Sequence, residues 1–409
     1  MNNQHGFAIS EVIVLGATLP VALSVGVLVT SGVNEGAGIT KSQANLQSIS
    51  VAHVLYAAEN DGSVYSLAPD DYGAYNGCND YINNVGCLDS PLLGYGGTCP
   101  DSCTNLWGYW IGSGSNADCT FGSCGNTLMI EPIDFNSRVG AFRLSNTVQF
   151  NQYANGRFYD SQFYAPLDTL TMERAAPLID ECCAFTYDGT IAWSSYAFSP
   201  SAMFDPGVLR SVEEGGFQMP GSYDDSHRAP QVTDARYPEL KTLAFEQNWN
   251  HGQPGPFNPN FAGENTPYYF NHGRDATPLT CFFDGSVRML RTGNVEADDA
   301  RVLEETGTDG LWHRGTPLGT NGYFSAQSHD GVRVSHNILT TGGIHGRDTL
   351  TTSMRSADAN GDGRVDGEDL LGVLGAWGID TGWNSPHDVN ADGLVDGYDL
   401  NAVLGTWSD

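Results

Sequence analysis

The last 52 residues contain a twelve-residue pattern written twice, with the second copy 30 residues after the first. Each copy offers oxygen atoms at positions 1, 3, 5, 7, 9 and 12 and has Gly at position 6. A hard cation such as Ca²⁺ takes six to eight oxygen ligands, and Gly permits the sharp turn of such a loop. The ligands would be Asp358, Asn360, Asp362, the Arg364 carbonyl, Asp366 and Asp369 in the first copy, and Asp388, Asn390, Asp392, the Leu394 carbonyl, Asp396 and Asp399 in the second. The repeat therefore predicts two calcium sites.

An apolar segment follows each loop, Leu370–Trp377 and Leu400–Trp407, with Leu, Val and Trp spaced as one buried helical stripe. Because Asp, Gly and Asn also form ordinary turns, a solvated tail is the alternative. The duplication of both ligands and helices favours calcium. The pair resembles a type I dockerin, in which two loop–helix repeats pack antiparallel around two calcium ions. The resemblance implies a calcium-binding module at 358–409 after a linker at 351–357, with a cohesin-like protein or a neighbouring subunit as partner.

The N-terminal segment is equally distinctive. Gly6-Phe7 and a lone acid, Glu11, precede the uncharged residues Val12 to Asn34. These 23 residues are enough to cross a bilayer core, which takes about 20. An uncleaved membrane anchor is one interpretation. The arrangement also resembles the signal of type IV prepilins and type II secretion pseudopilins.

That resemblance implies three events at the N-terminus. Prepilin peptidase would remove the leader, residues 1–6, and the new N-terminal residue, Phe7, would be methylated. Glu11 would be retained, because its carboxylate can meet the N-terminal amine of a like subunit within an apolar helix bundle. We therefore predict a precursor in the inner membrane that later joins an extracellular, cell-surface or periplasmic assembly.

The next segment reads as a continuation of the N-terminal helix. Apolar residues recur at helical spacing from Thr40 to Tyr56, and the pattern stops at Asn60-Asp61-Gly62. We predict one pilin-like helix over residues 7–62, of which residues 7–34 are hydrophobic. The segment is similar to the helix of bacterial prepilin-like proteins that also carry a late His-Gly…Phe-x-Asp-Gly-x-Val element.

Here that late element is His272-Gly273…Phe282-Phe283-Asp284-Gly285-Ser286-Val287. Its spacing predicts two strands joined by a turn, with Asp284-Gly285 at the hairpin tip. His272 and Asp284 are also conceivable as catalytic partners. Since no third group is identifiable from the sequence, we favour the structural hairpin.

Residues 63–350 are rich in Gly, Tyr, Phe and Ser and show few helical periods. We predict strands where β-branched or aromatic residues are bounded by turn formers, at 139–144, 156–160, 191–198 and 243–246. The expected fold class is α+β, with a long N-terminal helix, a β-rich globular head and the C-terminal two-repeat module.

Nine cysteines are present, and six of them lie between Cys78 and Cys124. In an oxidising compartment this density indicates disulfide bonds that staple a loop-rich insertion. A zinc site is the alternative, because two pairs among them are closely spaced. The disulfide candidates are Cys78, Cys87, Cys99, Cys103, Cys119, Cys124, Cys182 and Cys183, without a defined pairing, and Cys281 makes the total odd.

The net charge of −30 argues against nucleic acid or anionic membrane surfaces as partners and suits a calcium-rich exterior. The sequence has no nucleophile elbow, zincin motif, phosphate loop or dinucleotide fingerprint. We therefore predict a non-enzymatic subunit of a surface filament or secretion pseudopilus. The alternative is a membrane-tethered, dockerin-bearing protein with a glycan-binding or hydrolase head, since a glycosidase needs only two carboxylates on a cleft.

Overall fold

The computed structural model describes residues 32–88, 91–96, 105–108, 131–133, 140–154, 156–179, 181, 191–211, 214–247, 278–290, 298, 302–303, 307, 341–349, 357, 359–360, 364–379, 387–389, 395–405 and 407. The chain divides into two compact units, Met1–Ala37 and Gly38–Asp409. Its described helices are α1 (Gly32–Glu59), α2 (Cys78–Asn84), α3 (Val148–Asn151), α4 (Thr169–Ile179), α5 (Gly367–Gly375) and α6 (Gly397–Gly405). The described strands are β1 (Leu92–Gly96), β2 (Asn105–Gly108), β3 (Tyr196–Phe198), β4 (Thr242–Glu246), β5 (Leu279–Phe282) and β6 (Val287–Met289).

The described strands form two antiparallel sheets. One contains β1 and β2, and the other has the order β3-β4-β5-β6. Short 3₁₀ turns connect much of the remaining head, including Ala141–Arg143, Ser161–Phe163 and Pro200–Ala202. The predicted α+β class is confirmed by this combination of helices and antiparallel sheets.

Helix α1 ends at the position that the sequence predicts. After Glu59 the backbone enters the left-handed region at Asp61 (φ 52°) and Gly62 (φ 83°). The Gly62 N–H donates to the Ala57 carbonyl at 2.7 Å, which satisfies one of the carbonyls left open at a helix end. Because Asn, Asp and Gly tolerate this conformation best, the local sequence alone is enough to terminate the helix.

The described part of α1 from Gly38 onward contacts the four-stranded sheet through polar as well as apolar side chains. The Ser42 hydroxyl lies 2.7 Å from the Tyr196 hydroxyl and also donates to Glu246 on β4. Further along, the His53 ring packs against the rings of Phe198 and Phe283, with centroid distances of 6.0 and 5.9 Å. These contacts place α1 against the sheet, with Leu46, Ile49 and Ala52 buried in the main core.

The hairpin predicted from the Phe-x-Asp-Gly-x-Val element is confirmed between β5 and β6. Gly285 has φ 83°, its N–H donates to the Phe282 carbonyl at 2.9 Å, and the Asp284 carboxylate accepts the Ser286 N–H at 2.9 Å. Asp and Gly thus form the tip, because they supply the side-chain acceptor and the positive φ that this turn requires. His272 lies outside the described residues.

Two of the four predicted strands are confirmed and two are wrong. Strand β3 occupies the end of 191–198, and β4 covers 243–246. In the described part of 139–144 the chain instead forms the 3₁₀ turn Ala141–Arg143, and the segment 156–160 contains no strand. Phe142, Phe158 and Tyr159 are nevertheless buried, because their rings enter the core from turns. Aromatic content therefore marked the core correctly but not the secondary structure.

A buried ion pair joins β4 to the last described segment of the head. Lys241 Nζ lies 3.0 Å from Asp348 Oδ1, and both side chains are fully buried. The Lys241 ammonium also donates to Ser201 Oγ at 2.9 Å, and Asp348 Oδ2 accepts the Thr242 N–H at 2.9 Å. Burial lowers the pKa of Lys241, which Asp348 opposes, and burial raises the pKa of Asp348 to about 6, which Lys241 opposes.

Candidate calcium-binding module

The two predicted C-terminal helices are present as α5 and α6, and they pack together with the described loop residues. Their shared core contains Ala357, Val373, Val389, Val395, Ala402 and Val403, with Val365, Leu370, Ala376 and Leu400 partly buried against it. Each helix therefore contributes one apolar side to a common interior, as the spacing of Leu and Val predicted.

One part of the predicted stripe is different in the structure. The four-residue spacing placed Trp377 and Trp407 on the buried side, but they are 47% and 43% exposed. Leu374 and Leu404 are also about half exposed, at 48% and 51%. The buried stripe is shorter than the sequence indicated, because α5 ends at Gly375 and α6 at Gly405, so that both Trp residues lie beyond the helices on which the spacing had placed them.

Asp366 and Asp369 close the first loop onto the start of α5. The Asp366 carboxylate accepts the Glu368 N–H at 2.9 Å, and Asp369 Oδ2 accepts the Asp366 N–H at 2.9 Å, a reciprocal capping box. Asp369 Oδ1 also accepts the N–H groups of Ala359 at 2.7 Å and Asn360 at 3.1 Å. Position 12 of the loop is thereby tied to positions 2 and 3.

These hydrogen bonds also determine the charge state of Asp369. Burial alone would raise its pKa, but the backbone N–H groups of Asp366, Asn360 and Ala359 outweigh burial and lower it. Asp369 is therefore held as a carboxylate although it is only 1% exposed. An ionised carboxylate is the form that a hard cation requires.

The second loop repeats this arrangement. The Asp396 N–H donates to Asp399 Oδ2 at 2.8 Å, which is the equivalent of the Asp366–Asp369 contact. Asp388 and Asp399, the first and last predicted ligands, are both fully buried. The last predicted ligand of each repeat, Asp369 or Asp399, is thus buried and accepts the N–H of the Asp three residues before it.

Seven of the twelve predicted ligands belong to the described part of the chain: Asn360, Arg364, Asp366, Asp369, Asp388, Asp396 and Asp399. The other five, Asp358, Asp362, Asn390, Asp392 and Leu394, lie outside it. Among the described residues, no three His, Cys, Asp or Glu side chains form a group that could hold a metal ion. The full coordination shells consequently stay a prediction.

The chemistry of the residues fits a hard cation. Residues 358–409 contain ten Asp and one Glu but a single basic residue of the Lys or Arg type, Arg364. Three of the predicted carboxylate ligands, Asp369, Asp388 and Asp399, are buried. Burying carboxylates is costly unless positive charge comes with them, and two Ca²⁺ ions would bring four charges.

The two repeats also make direct contacts with each other. The Gly378 N–H donates to the Val395 carbonyl at 2.8 Å, and the Val395 N–H donates to the Ile379 carbonyl at 3.5 Å. The His387 ring lies directly over Gly372 of α5. Neither His387 nor Gly372 was expected from the sequence to have a role, although His387 directly precedes the second predicted loop.

The predicted processing residues Gly6, Phe7 and Glu11 lie outside the described residues, as does most of the apolar segment after them. None of the helices in the described part of the chain is long and apolar enough to cross a membrane. The cleavage, methylation and membrane predictions therefore stay predictions.

Three cysteines belong to the described residues. Cys78 and Cys87 are disulfide-bonded. Cys281 on β5 is free and buried, and burial raises the pKa of its thiol to about 12. A buried thiol of this kind is unreactive. Cys99, Cys103, Cys119, Cys124, Cys182 and Cys183 lie outside the described residues, so their pairing stays a prediction.

Comparison of the chain with protein-family models, curated proteins and solved structures finds no match.

Proposed function

We propose that the chain is a non-enzymatic subunit of a type IV pilin-like filament or secretion pseudopilus, with a calcium-dependent interaction module at its C-terminal side. The observation that carries the proposal is α1 lying against a four-stranded antiparallel sheet. The buried side of this helix is formed by Ser42, Asn45, Leu46, Ile49, Ser50, Ala52 and His53. A helix that follows an apolar N-terminal segment in the sequence and packs on the head from Gly38 onward suits a subunit that assembles through its helix.

The opposite side of α1 supports the same proposal. Val51, Val54 and Leu55 are 57%, 63% and 49% exposed, and their spacing places them on one face of the helix. Single exposed apolar residues are ordinary, but three neighbouring ones on a helix favour an interaction surface. A second copy of the chain is the occupant that the assembly proposal requires.

At the N-terminus, prepilin peptidase would cleave between Gly6 and Phe7 after the apolar segment had inserted into the inner membrane. The retained Glu11 would then meet the N-terminal amine of a like subunit. Pairing of the two charges in an apolar helix bundle would offset the cost of burying each one.

The C-terminal module would bind two Ca²⁺ ions through the twelve predicted ligands. When bound, calcium supplies the positive charge that allows these clustered carboxylates to remain ionised in a folded module. The exposed Leu374, Trp377, Leu404 and Trp407 would then contact a cohesin-like protein or a neighbouring subunit. Trp is one of the residues enriched at the energetic centres of protein interfaces, and a cluster of exposed apolar side chains marks an interaction surface.

Disulfide bonds would stabilise the insertion between Cys78 and Cys124. That segment has little apolar material of its own, so covalent links would compensate for a small core. Cys78 and Cys87 already participate in disulfides, which favours disulfide bonds over a zinc site for these two residues.

Mass spectrometry of the N-terminal peptide, from cells that express the full chain and a prepilin peptidase, tests the proposal. We expect a peptide that begins at N-methylated Phe7. A Gly6→Val variant is the matched control and should keep Met1, because the residue before the cleaved bond has been enlarged. An intact Met1 in the unmodified chain would contradict the proposal. The segment Val12–Asn34 would then be a permanent anchor, and the head would be tested for glycan binding or hydrolysis.

A further inference from the structure

The contact between His387 and Gly372 joins the second predicted calcium loop to the helix of the first repeat. A Cβ atom at position 372 would lie 2.5 Å from both Cε1 and Nδ1 of the His387 ring. That distance is shorter than any normal contact between non-bonded atoms. Gly372 therefore provides the space in which the imidazole ring lies.

At the equivalent positions of the other half of the module, before the first loop and in α6, both side chains are small. Ala357 precedes the first loop as His387 precedes the second, and Ala402 is the residue of α6 that corresponds to Gly372 of α5. Both alanines are buried, at 6% and 7% exposure, and belong to one apolar cluster. One half thus uses two alanines where the other uses a large ring and a glycine.

His387 directly precedes the second predicted calcium loop, so its contact with Gly372 holds the beginning of that loop. Asp388, the first predicted ligand of the second loop, follows it directly, and both Asp388 and Val389 are fully buried. A second link between the repeats lies at the far side of the loop, where Val395 exchanges hydrogen bonds with Gly378 and Ile379. The beginning and the later part of the second loop are thus both held by the first repeat.

We propose that His387 is a positioning residue for the second calcium site, and that its packing on Gly372 couples calcium binding in the two loops. The inference rests on the proposed function, in that it requires a module that binds two Ca²⁺ ions. Because the His387 ring packs on Gly372 of α5, the position of α5 would also determine the position of the next residue, Asp388. Calcium that orders the first loop and α5 would favour the position of Asp388, and because coupling between two binding sites is reciprocal the gain in affinity would hold in both directions.

Calorimetric titration of the full chain with Ca²⁺ tests this inference through two matched variants. Gly372→Ala removes the space for the ring, whereas Gly375→Ala changes the same helix at a position with no neighbouring atom within 4 Å. Both substitutions replace Gly by Ala in α5, Gly372 in its interior and Gly375 at its last residue, and neither should weaken the helix, so a loss of affinity confined to Gly372→Ala reports the His387 contact. We expect Gly372→Ala to weaken one of the two sites by about tenfold, the lower range for groups that orient metal ligands. Gly375→Ala should leave both sites unchanged.

Two further variants distinguish a loss of positioning at the second loop from a general loss of module stability. His387→Ala alone leaves the space beside Gly372 empty and should weaken the same site, whereas the double variant Gly372→Ala with His387→Ala copies the buried alanine pair of the other half and should recover most of the affinity. Equal affinities for Gly372→Ala and Gly375→Ala would overturn the inference, and so would a double variant no tighter than Gly372→Ala. An unmodified chain that binds fewer than two Ca²⁺ ions would overturn the proposed calcium function itself, and this inference with it.

Discussion

Removal of the Lys241 ammonium should destabilise the head far more than removal of a surface cation. In the variant Lys241→Met the side chain keeps its length, but Asp348 becomes a fully buried carboxylate without its cation. Breaking a buried pair in this way costs about 3–5 kcal/mol, because the remaining charge has lost its partner and cannot reach water. A native protein is typically stable by about 5–15 kcal/mol, so this is a large share of the total.

The matched control is the surface pair Arg236–Glu214. Its atoms are 3.4 Å apart, and its side chains are 55% and 40% exposed. Arg236→Met should therefore cost no more than about 1 kcal/mol. Urea unfolding of the two variants, followed by tryptophan fluorescence, measures the difference. The double variant Lys241→Met with Asp348→Asn should recover most of the loss, because it removes both charges and keeps an acceptor for the Thr242 N–H.

The pH dependence gives an independent check on the same pair. Lys241 lowers the pKa of Asp348, which burial otherwise raises, so Lys241→Met should raise that pKa above its present value of about 6. The pKa of the carboxyl is 3.8 in the unfolded chain and higher in the folded one. Such a group stabilises the folded state at pH values below 3.8, and this stabilisation is lost as the pH rises through the folded-state pKa. The free energy of unfolding of Lys241→Met should therefore be closest to that of the unmodified chain near pH 4, and the difference should grow as the pH rises. A loss below 1 kcal/mol at pH 7.5, similar to Arg236→Met, would refute this account of the pair.

Three further predictions address other parts of the chain. Asp369→Ala removes the acceptor of three backbone N–H groups, so the variant should show no gain of helix in circular dichroism when Ca²⁺ is added. Substitution of the exposed neighbour, Glu368→Ala, should leave that gain intact. Equal gains in the two variants would contradict the role of Asp369 in closing the loop. Burial lowers the pKa of His53 from 6.5 to about 4. The free energy of unfolding should therefore decrease by about 3 kcal/mol as the pH falls from above 6.5 to 4, because the unfolded chain binds the proton first. Urea unfolding of His53→Gln should show a smaller decrease over the same range. Val54→Lys, at a 63% exposed position, should leave the melting temperature unchanged but reduce self-association in sedimentation; undiminished association would exclude this face.

The features that the sequence predicted best are those determined by neighbouring residues. The end of α1 at Asn60-Asp61-Gly62 and the Asp284-Gly285 hairpin tip depend on which residues tolerate positive φ and accept nearby N–H groups. Both C-terminal helices were predictable from their apolar spacing, but they begin at Gly367 and Gly397, three residues before the predicted segments, and Asp366 caps the first of them.

Predictions that required long-range packing were less successful. Strands were expected at 139–144 and 156–160 because both are rich in aromatic or β-branched residues. The structure instead buries Phe142, Phe158 and Tyr159 from turns, so their burial does not require an extended backbone. Trp377 and Trp407 show the opposite case, since helical spacing indicated burial but the helices end at Gly375 and Gly405, before either Trp is reached.

By itself the sequence determined the end of α1, the hairpin tip, the presence of the two C-terminal helices and the α+β class, because these follow from spacing and local conformational preference, and it predicts the two calcium loops. Only the tertiary structure decided which distant residues meet. Lys241 and Asp348 are 107 residues apart, and the pairing of His387 with Gly372 crosses the two repeats. Such contacts depend on how close-packed surfaces fit together, which residue types and periodicities do not specify.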